Sequence, residues 1–172
     1  MASNTIDYLA GAIRSSLYWD GQLIDKNCTV DLPDLAYQTA DIPAMGTMAV
    51  PLPGLYEDAE MVYHPTNSTK ASARMYTPGT HTIDYRWNQI EYGENTAEQK
   101  LVTHRVIATG TPKKKQHART IAPGQKPEGE IPIALFSYRY YVDGETMVEW
   151  DRFTWTDNLM GEDYGYDYSK NL

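Results

Sequence analysis

The 172-residue chain sets 15 Lys and Arg against 23 Asp and Glu, a net charge of −8, which argues against tight nucleic-acid binding because most of the surface repels phosphate. Cys28 is its single cysteine, so neither an intramolecular disulfide nor a thiolate zinc cluster is expected, in keeping with a reducing compartment. No stretch approaches the ~20 apolar residues of a membrane-spanning helix, and the amino-terminal residues lack the basic region of a cleaved secretion signal.

The length suits one domain over residues 1–172. Fourteen Tyr and four Trp against two Phe favour half-buried sheets and subunit contacts, since both side chains carry a polar edge. In chain order, residues 13–19 and 22–31 flank Asp20-Gly21, the dipeptide that supplies positive φ for a type I′ turn, and read as an opening hairpin. Cys28 reads as a small, half-buried strand residue. The strand signal resumes at Leu35 and then meets prolines 43, 51 and 53 and glycines 46 and 54. This predicts a long loop over 42–54 with no regular ladder. Ile42, Met45, Met48, Val50 and Leu52 give it more apolar surface than a solvated loop wants, so it should pack against something.

Residues 57–64 read as a short strand. Asn67, Ser68 or Thr69 then caps one or two helical turns through Lys70, Ala71 and Arg74, ended by Thr77-Pro78-Gly79. Residues 80–92 alternate, with Ile83, Tyr85 and Trp87 on the face expected to be buried. A further strand covers 100–109, and 110–129, holding Lys113, Lys114 and Lys115, is expected to be a loop. The strongest element is the pair of aromatic strands 131–142 and 145–155 joined by Asp143-Gly144. Residues 156–172, short of aliphatics, read as an outgoing tail. The sum is a mainly β domain: two packed antiparallel sheets, as a sandwich or barrel, with one short flanking helix.

No motif carries chemistry. His64, His81, His104 and His117 sit in different elements without the spacing that aims two ligands at one metal. Adjacent acids such as Glu57-Asp58 or Glu162-Asp163 point to opposite faces of a strand. The nucleophile elbow and the Gly-rich phosphate loops are missing. No catalytic residue, metal or cofactor is expected.

The order of features resembles the major tail tube proteins of contractile-tailed phages and phage tail-like bacteriocins. The likeness rests on the hairpin at Asp20-Gly21, on Asp31-Leu32-Pro33-Asp34-Leu35, on the Gly/Met/Pro segment 42–54, on the strand from Glu57 to Tyr63, and above all on the late hairpin. There an acidic-Gly turn, Asp143-Gly144, is followed by Val148-Glu149-Trp150-Asp151. The resemblance implies hexameric rings of identical subunits stacked into a tube around a lumen that DNA traverses without specific binding. The implied partners are a sheath protein and baseplate and tail terminator proteins. The implied location is a virion tail assembled in the bacterial cytoplasm. It also implies an amino-terminal arm (1–12), a ring-stacking loop (42–54, with Ile42, Met45, Met48, Val50 and Leu52) and a carboxy-terminal tail (156–172). Acidic residues among Glu57, Glu60, Asp84, Glu91, Glu94 and Glu98 are expected to face the lumen and repel phosphate.

Two other readings remain open on sequence. One is a secreted ring-forming tube protein of a bacterial secretion system. The other is a monomeric carbohydrate-binding β sandwich with Trp87, Trp150, Trp155 and tyrosines as its stacking platform.

Overall fold

The computed structural model describes residues 8–9, 11–44, 46–66, 69–93, 98–116, 121–124 and 129–165. As the composition implies, the chain is mainly β, with two antiparallel sheets and one short helix. Strands β2 (Arg14–Trp19) and β3 (Gln22–Lys26) form the opening hairpin, and the turn residues Asp20 and Gly21 adopt φ of 48° and 78°, as a type I′ turn demands. The late hairpin, β10 (Ile131–Val142) with β11 (Glu145–Asp151), repeats this, with φ of 48° and 85° at Asp143 and Gly144.

Each of these turns also grips a third strand. In β8 (His81–Tyr92), Thr82 N–H donates to Asp20 Oδ1 while Asp20 N–H donates to Thr82 O, both at 2.9 Å. In β9 (Gln99–Pro112), Thr103 N–H donates to Asp143 Oδ1 at 2.9 Å and Asp143 N–H returns a bond to Thr103 O at 2.8 Å. The aspartates therefore fix the hairpins to the long β8–β9 pair as well as making the turns. His81 adds to the first clamp, bonding Asp20 Oδ2 at 2.7 Å and stacking on Trp19.

The strand expected over 22–31 breaks at Asn27, whose φ is 54°. It resumes as β4 (Thr29–Asp31), which pairs with β7 (Glu60–His64) instead of continuing beside β2. β7 in turn pairs with the first residues of β10. The larger sheet thus runs β13-β12-β11-β10-β9-β8-β2-β3, where β12 is Thr156–Leu159 and β13 is Glu162–Asp163. β7 and β4 branch from β10, and β1 (Tyr8–Leu9) pairs with the far end of β8.

This sheet closes on itself. Along the hydrogen-bonded path β7 lies five strands from β3, about 24 Å if the sheet were flat. Yet the Tyr63 hydroxyl on β7 donates to Asp25 Oδ2 on β3 at 2.6 Å. Thr66, just after β7, donates its N–H to the same carboxylate at 2.9 Å and its hydroxyl to the other oxygen. The two layers expected from the sequence are therefore produced by one curled sheet. Between them lies the core: Leu17, Ile83, Tyr85, Val106, Ala108, Ile133, Leu135, Tyr138 and Trp150 against Met61, Tyr63 and Met75.

Helix α1 (Lys70–Ala73) is one turn, continued by a 3₁₀ turn over Arg74–Tyr76 that buries Met75. Thr69 is the residue that caps it, in a reciprocal capping box with Ser72. Asn67 and Ser68, the alternative caps, lie outside the described residues. Cys28 is buried in the link from β3 to β4, and its carbonyl accepts the Ser15 and Tyr85 hydroxyls. Burial, then the nearby Asp25 charge, pushes its thiol pKa up to about 12, leaving it unreactive.

Three expectations are corrected. Residues 42–54 are not a loop but most of a two-stranded ribbon, β5 (Tyr37–Ala44) with β6 (Gly46–Tyr56). Prolines are tolerated because each strand of an isolated pair has an open edge, where a missing N–H breaks no ladder bond. Residues 156–163 do not leave the domain but return as β12 and β13 on the edge of β11. Gly110, expected in a loop, lies inside β9 opposite Leu135 of β10. A Cβ there would stand 2.4 Å from the Ala134 carbonyl oxygen.

Gly110→Ala is accordingly expected to destabilise the fold by about 2 kcal/mol through this backbone clash, measurable by urea unfolding. Asp25→Asn is expected to cost about 2 kcal/mol at pH 7, the scale of a hydrogen bond to a charged group. Burial of the Asp25 carboxylate opposes ionisation, but donation from Thr66, Tyr63 and the backbone outweighs it and holds its pKa below the ordinary value. Its stabilisation is therefore complete above the unfolded-state pKa of about 4 and is lost as pH falls through the lower folded-state value. Urea titrations between pH 7 and pH 2 should show the unsubstituted protein losing more stability on acidification than Asp25→Asn does.

Candidate assembly surface

The β5–β6 ribbon leaves the body of the domain with its two faces sharply different. Ala40 pairs with Val50 and Ile42 with Met48, and Leu52 continues the alternation, so one face is apolar. Thr39, Asp41, Pro43, Thr47, Ala49 and Pro51 form the other. The apolar face is uncovered near the tip, where Ile42 is 46% and Met48 55% exposed, while Val50 and Leu52 nearer the root are half-buried. Met45 lies outside the described residues. The structure thus brings Ile42, Met48, Val50 and Leu52 together on one surface, by strand alternation.

The root of the ribbon is rigid for a reason that the sequence did not reveal. Asp157 of β12 is buried and accepts hydrogen bonds from the Tyr56 hydroxyl at 2.5 Å and the Tyr37 hydroxyl at 3.4 Å. The two rings lie 4.9 Å apart, and Tyr56 meets the buried Trp150 edge-on at 5.4 Å. Burial, together with donation to the Asp157 carboxylate, drives the Tyr56 pKa far upward. Arg152 donates to the Tyr56 and Glu57 carbonyls and pairs with Asp58. Beside this anchor lies a groove of about 400 Å³ lined by Gln38, Leu55, Tyr56, Trp150 and Trp155. Trp155 is exposed and held at φ 57°, a strained conformation for a bulky side chain. A buried Asp in a segment read as a polar tail carries no local sequence signal, because its partners are 101 and 120 residues away.

The acids expected at the lumen do not share one surface. Asp84 lies on the face of β8 turned away from the core, clamped by Arg86 and by Arg105 at 2.8 Å. Burial opposes its ionisation, but the bonds from Arg86 and Arg105 outweigh this and its pKa is lowered. Glu91, an odd position on the same strand, points to the opposite face. Glu60 pairs with Lys113 at the start of β7, and Glu57 is exposed in the link before it. The Glu98 carbonyl accepts from Gly93 N–H just ahead of β9, and Glu94 lies outside the described residues.

The histidines are likewise dispersed. His64 pairs with Asp31 and His81 with Asp20. His104 is buried, stacked on Trp87 and bonded to the Tyr140 hydroxyl at 2.7 Å; burial lowers its pKa. His117 lies outside the described residues. Among the described residues no three His, Cys, Asp or Glu side chains are grouped to hold a metal. Nor do the tryptophans form a sugar platform: Trp150 is in the core, and Trp87 is half-buried in the stack with His104 and Tyr140. What the surface offers is a projecting apolar ribbon, an anchored root and strand margins that end in solvent.

The sequence model of the phage tail tube protein FII family matches residues 13–172, nearly the whole chain. The chain belongs to that family. It is a structural subunit of a phage tail tube, a virion tail component whose function is self-assembly with its tail partners. No curated protein shows a significant match to it.

Asp157→Ala leaves the Tyr56 and Tyr37 hydroxyls unsatisfied and is expected to lower stability by about 2–3 kcal/mol. In hydrogen exchange, amides of 39–51 should lose more protection than those of β8 and β9, because the ribbon is released before the core opens.

Proposed function

We propose that the chain polymerises as hexameric rings stacked into the tube of a contractile phage tail or phage-like injection machine, with a lumen through which DNA or ions pass into the target cell. The observation that carries this reading is the ribbon: an apolar face of Ile42, Met48, Val50 and Leu52, uncovered at its tip and rooted in a buried tyrosine–aspartate clamp. A two-stranded ribbon alone in water is marginal at best. Docked against a subunit of the next ring, it loses that exposed surface and joins ring to ring. Met45, which stands between Ala44 and Gly46 in the sequence, is included in this contact on its apolar character alone.

The late hairpin with its Asp143-Gly144 turn supports the contractile type by resemblance, and with it a sheath around the tube and baseplate and terminator proteins at its ends. Of the six acids expected at the lumen, Asp84 and Glu60 have cationic partners and contribute little repulsion. Glu57 and Glu91 have no cationic partner among the described residues and are the better candidates for keeping phosphate from adhering.

Negative-stain electron microscopy of the purified protein tests the reading. Hollow tubes of constant diameter are expected, and separate globules at every concentration would overturn it. The paired substitution Ile42→Asp with Met48→Asp should leave the melting temperature within a few degrees of the unsubstituted protein, because both side chains are already exposed. It should raise the concentration needed for tubes at least about tenfold, or about 1.4 kcal/mol per contact.

A further inference from the structure

The face of the large sheet turned away from the core is electrically lopsided. Cross-strand registers place Lys26, Ser16, Arg86, Arg105 and Tyr141 in one row, with Arg14 one pair further along β2. The adjoining row runs Tyr18, Asp84, Ile107, Arg139, Glu149, Asn158 and Asp163. In the middle of the face the charges are satisfied within the subunit: Asp84 by Arg86 and Arg105, Arg139 by Glu149 at 2.8 Å. At the two ends, among the described residues, they are not.

Arg14 and Lys26, both exposed at the β2–β3 end, have no acidic partner among the described residues. The neighbouring acids are committed elsewhere, Asp20 to His81 and Asp25 to Tyr63 and Thr66. At the β12–β13 end the exposed Glu162 and Asp163 have no cationic partner among the described residues. They accept only local bonds, from the Tyr164 hydroxyl and Gly165 N–H. The nearest described cation in sequence, Arg152, is held by Asp58 and two carbonyls, and Lys170 lies outside the described residues.

Uncovered apolar side chains accompany the charges at both ends. Ile13 and Leu23 flank Arg14 and Lys26; Leu159, Met160 and Tyr164 flank Glu162 and Asp163. Met160 is 71% exposed at the tip of the β12–β13 turn with φ 52°. There the same turn geometry that Asp-Gly fills elsewhere is given to an apolar residue. An exposed methionine at a conformation suited to Asn or Asp makes physical sense if another surface covers it.

From these observations we infer that the two ends meet between copies: the acidic β12–β13 end of one subunit, with Leu159, Met160 and Tyr164, docks on the basic β2–β3 end of the next, with Ile13 and Leu23. The ends lie at opposite limits of the sheet's strand order, so the contact is heterologous, and repeating it closes a ring where the rotation between copies allows. The occupant of each end is a second copy of this chain, chosen by charge complementarity: a molecule of net charge −8 approaches its neighbour favourably only where unlike charges face each other. This rests on the ring reading above and names the lateral contact that the ribbon does not supply.

Charge exchange tests it. Arg14→Glu with Lys26→Glu, and separately Glu162→Lys with Asp163→Lys, should each give a folded subunit with unchanged circular dichroism. Each should raise the concentration required for tube formation at least tenfold. The chain carrying all four substitutions should recover tube formation to within about threefold of the unsubstituted protein, because the pairing is restored with its sign inverted. As a second readout, Leu23→Cys with Met160→Cys should give covalent ladders under mild oxidation of assembled tubes, while Cys28 stays buried and silent. Tubes formed equally well by both two-residue reversals, failure of the four-residue chain to recover, or assembled tubes without ladders would each overturn the lateral contact while leaving the tube reading intact. Absence of tubes from the unsubstituted protein would overturn the tube reading itself.

Discussion

The fold depends on closing its sheet, where the buried Asp25 carboxylate on β3 gathers the Tyr63 hydroxyl and both donors of Thr66 beside the β4–β7 ladder. An open antiparallel sheet with one apolar face must cover that face, and here no second large sheet is present to do so. The sheet bends until β7 reaches β3, and the bend is held by these bonds to Asp25 together with the β4–β7 ladder, because β3 and β7 do not pair through their backbones among the described residues. A buried carboxylate is costly unless its oxygens are filled. Asp25 has donors on both oxygens, so its burial fixes one closure geometry instead of penalising all of them.

The same device appears a second time. Asp157 receives Tyr56 and Tyr37 as Asp25 receives Tyr63 and Thr66, and it fixes the ribbon to β12 where the other fixes β7 to β3. The composition's excess of Tyr over Phe has its use here. A phenol buries an aromatic body and still carries a donor to a buried acceptor, which Phe does not. Tyr85 to the Cys28 carbonyl and Tyr140 with His104 repeat the pattern with other acceptors. Rigid closure has a further consequence: curling occupies one face of the sheet and leaves the outward-facing residues of its terminal strands and the tip of the ribbon exposed.

What was legible in the sequence was local. The two Asp-Gly turns, the alternation of Ile83, Tyr85 and Trp87, and the capped turn after Thr69 are set by residues within a few positions of one another, and they stand where expected. The mainly β class followed from them. The ribbon was misread because Pro and Gly were weighed as if every strand were central, whereas a strand with a free edge tolerates both. The 156–163 strands were misread because Thr156, Asp157 and Asn158 look solvated until Asp157 finds Tyr56 and Tyr37 across the chain. Of the candidate assembly residues, Ile42, Met48, Val50 and Leu52 stand out by their apolar excess in an otherwise punctuated segment, and strand alternation puts them on one face. The acids were chosen by sign alone, and sign does not say which face of a strand a residue occupies or whether an arginine stands beside it.

Self-assembly of an acidic protein sets two electrostatic effects of different range against each other. The net charge of −8 repels neighbouring subunits over the whole distance between their centres, several nanometres for domains of this size. A cation on one sheet end facing a carboxylate on the next acts over a few ångströms. At physiological ionic strength the screening length is about 8 Å, so the long-range repulsion is largely removed, while the contact pairs of the inferred lateral interface, which Leu23, Leu159 and Met160 would partly desolvate, would keep most of their attraction. Very low salt restores the repulsion, and molar salt weakens the contact pairs as well. Under the lateral contact inferred above, the protein's acidity is compatible with polymerisation because the excess charge is spread while the attractive charges are placed.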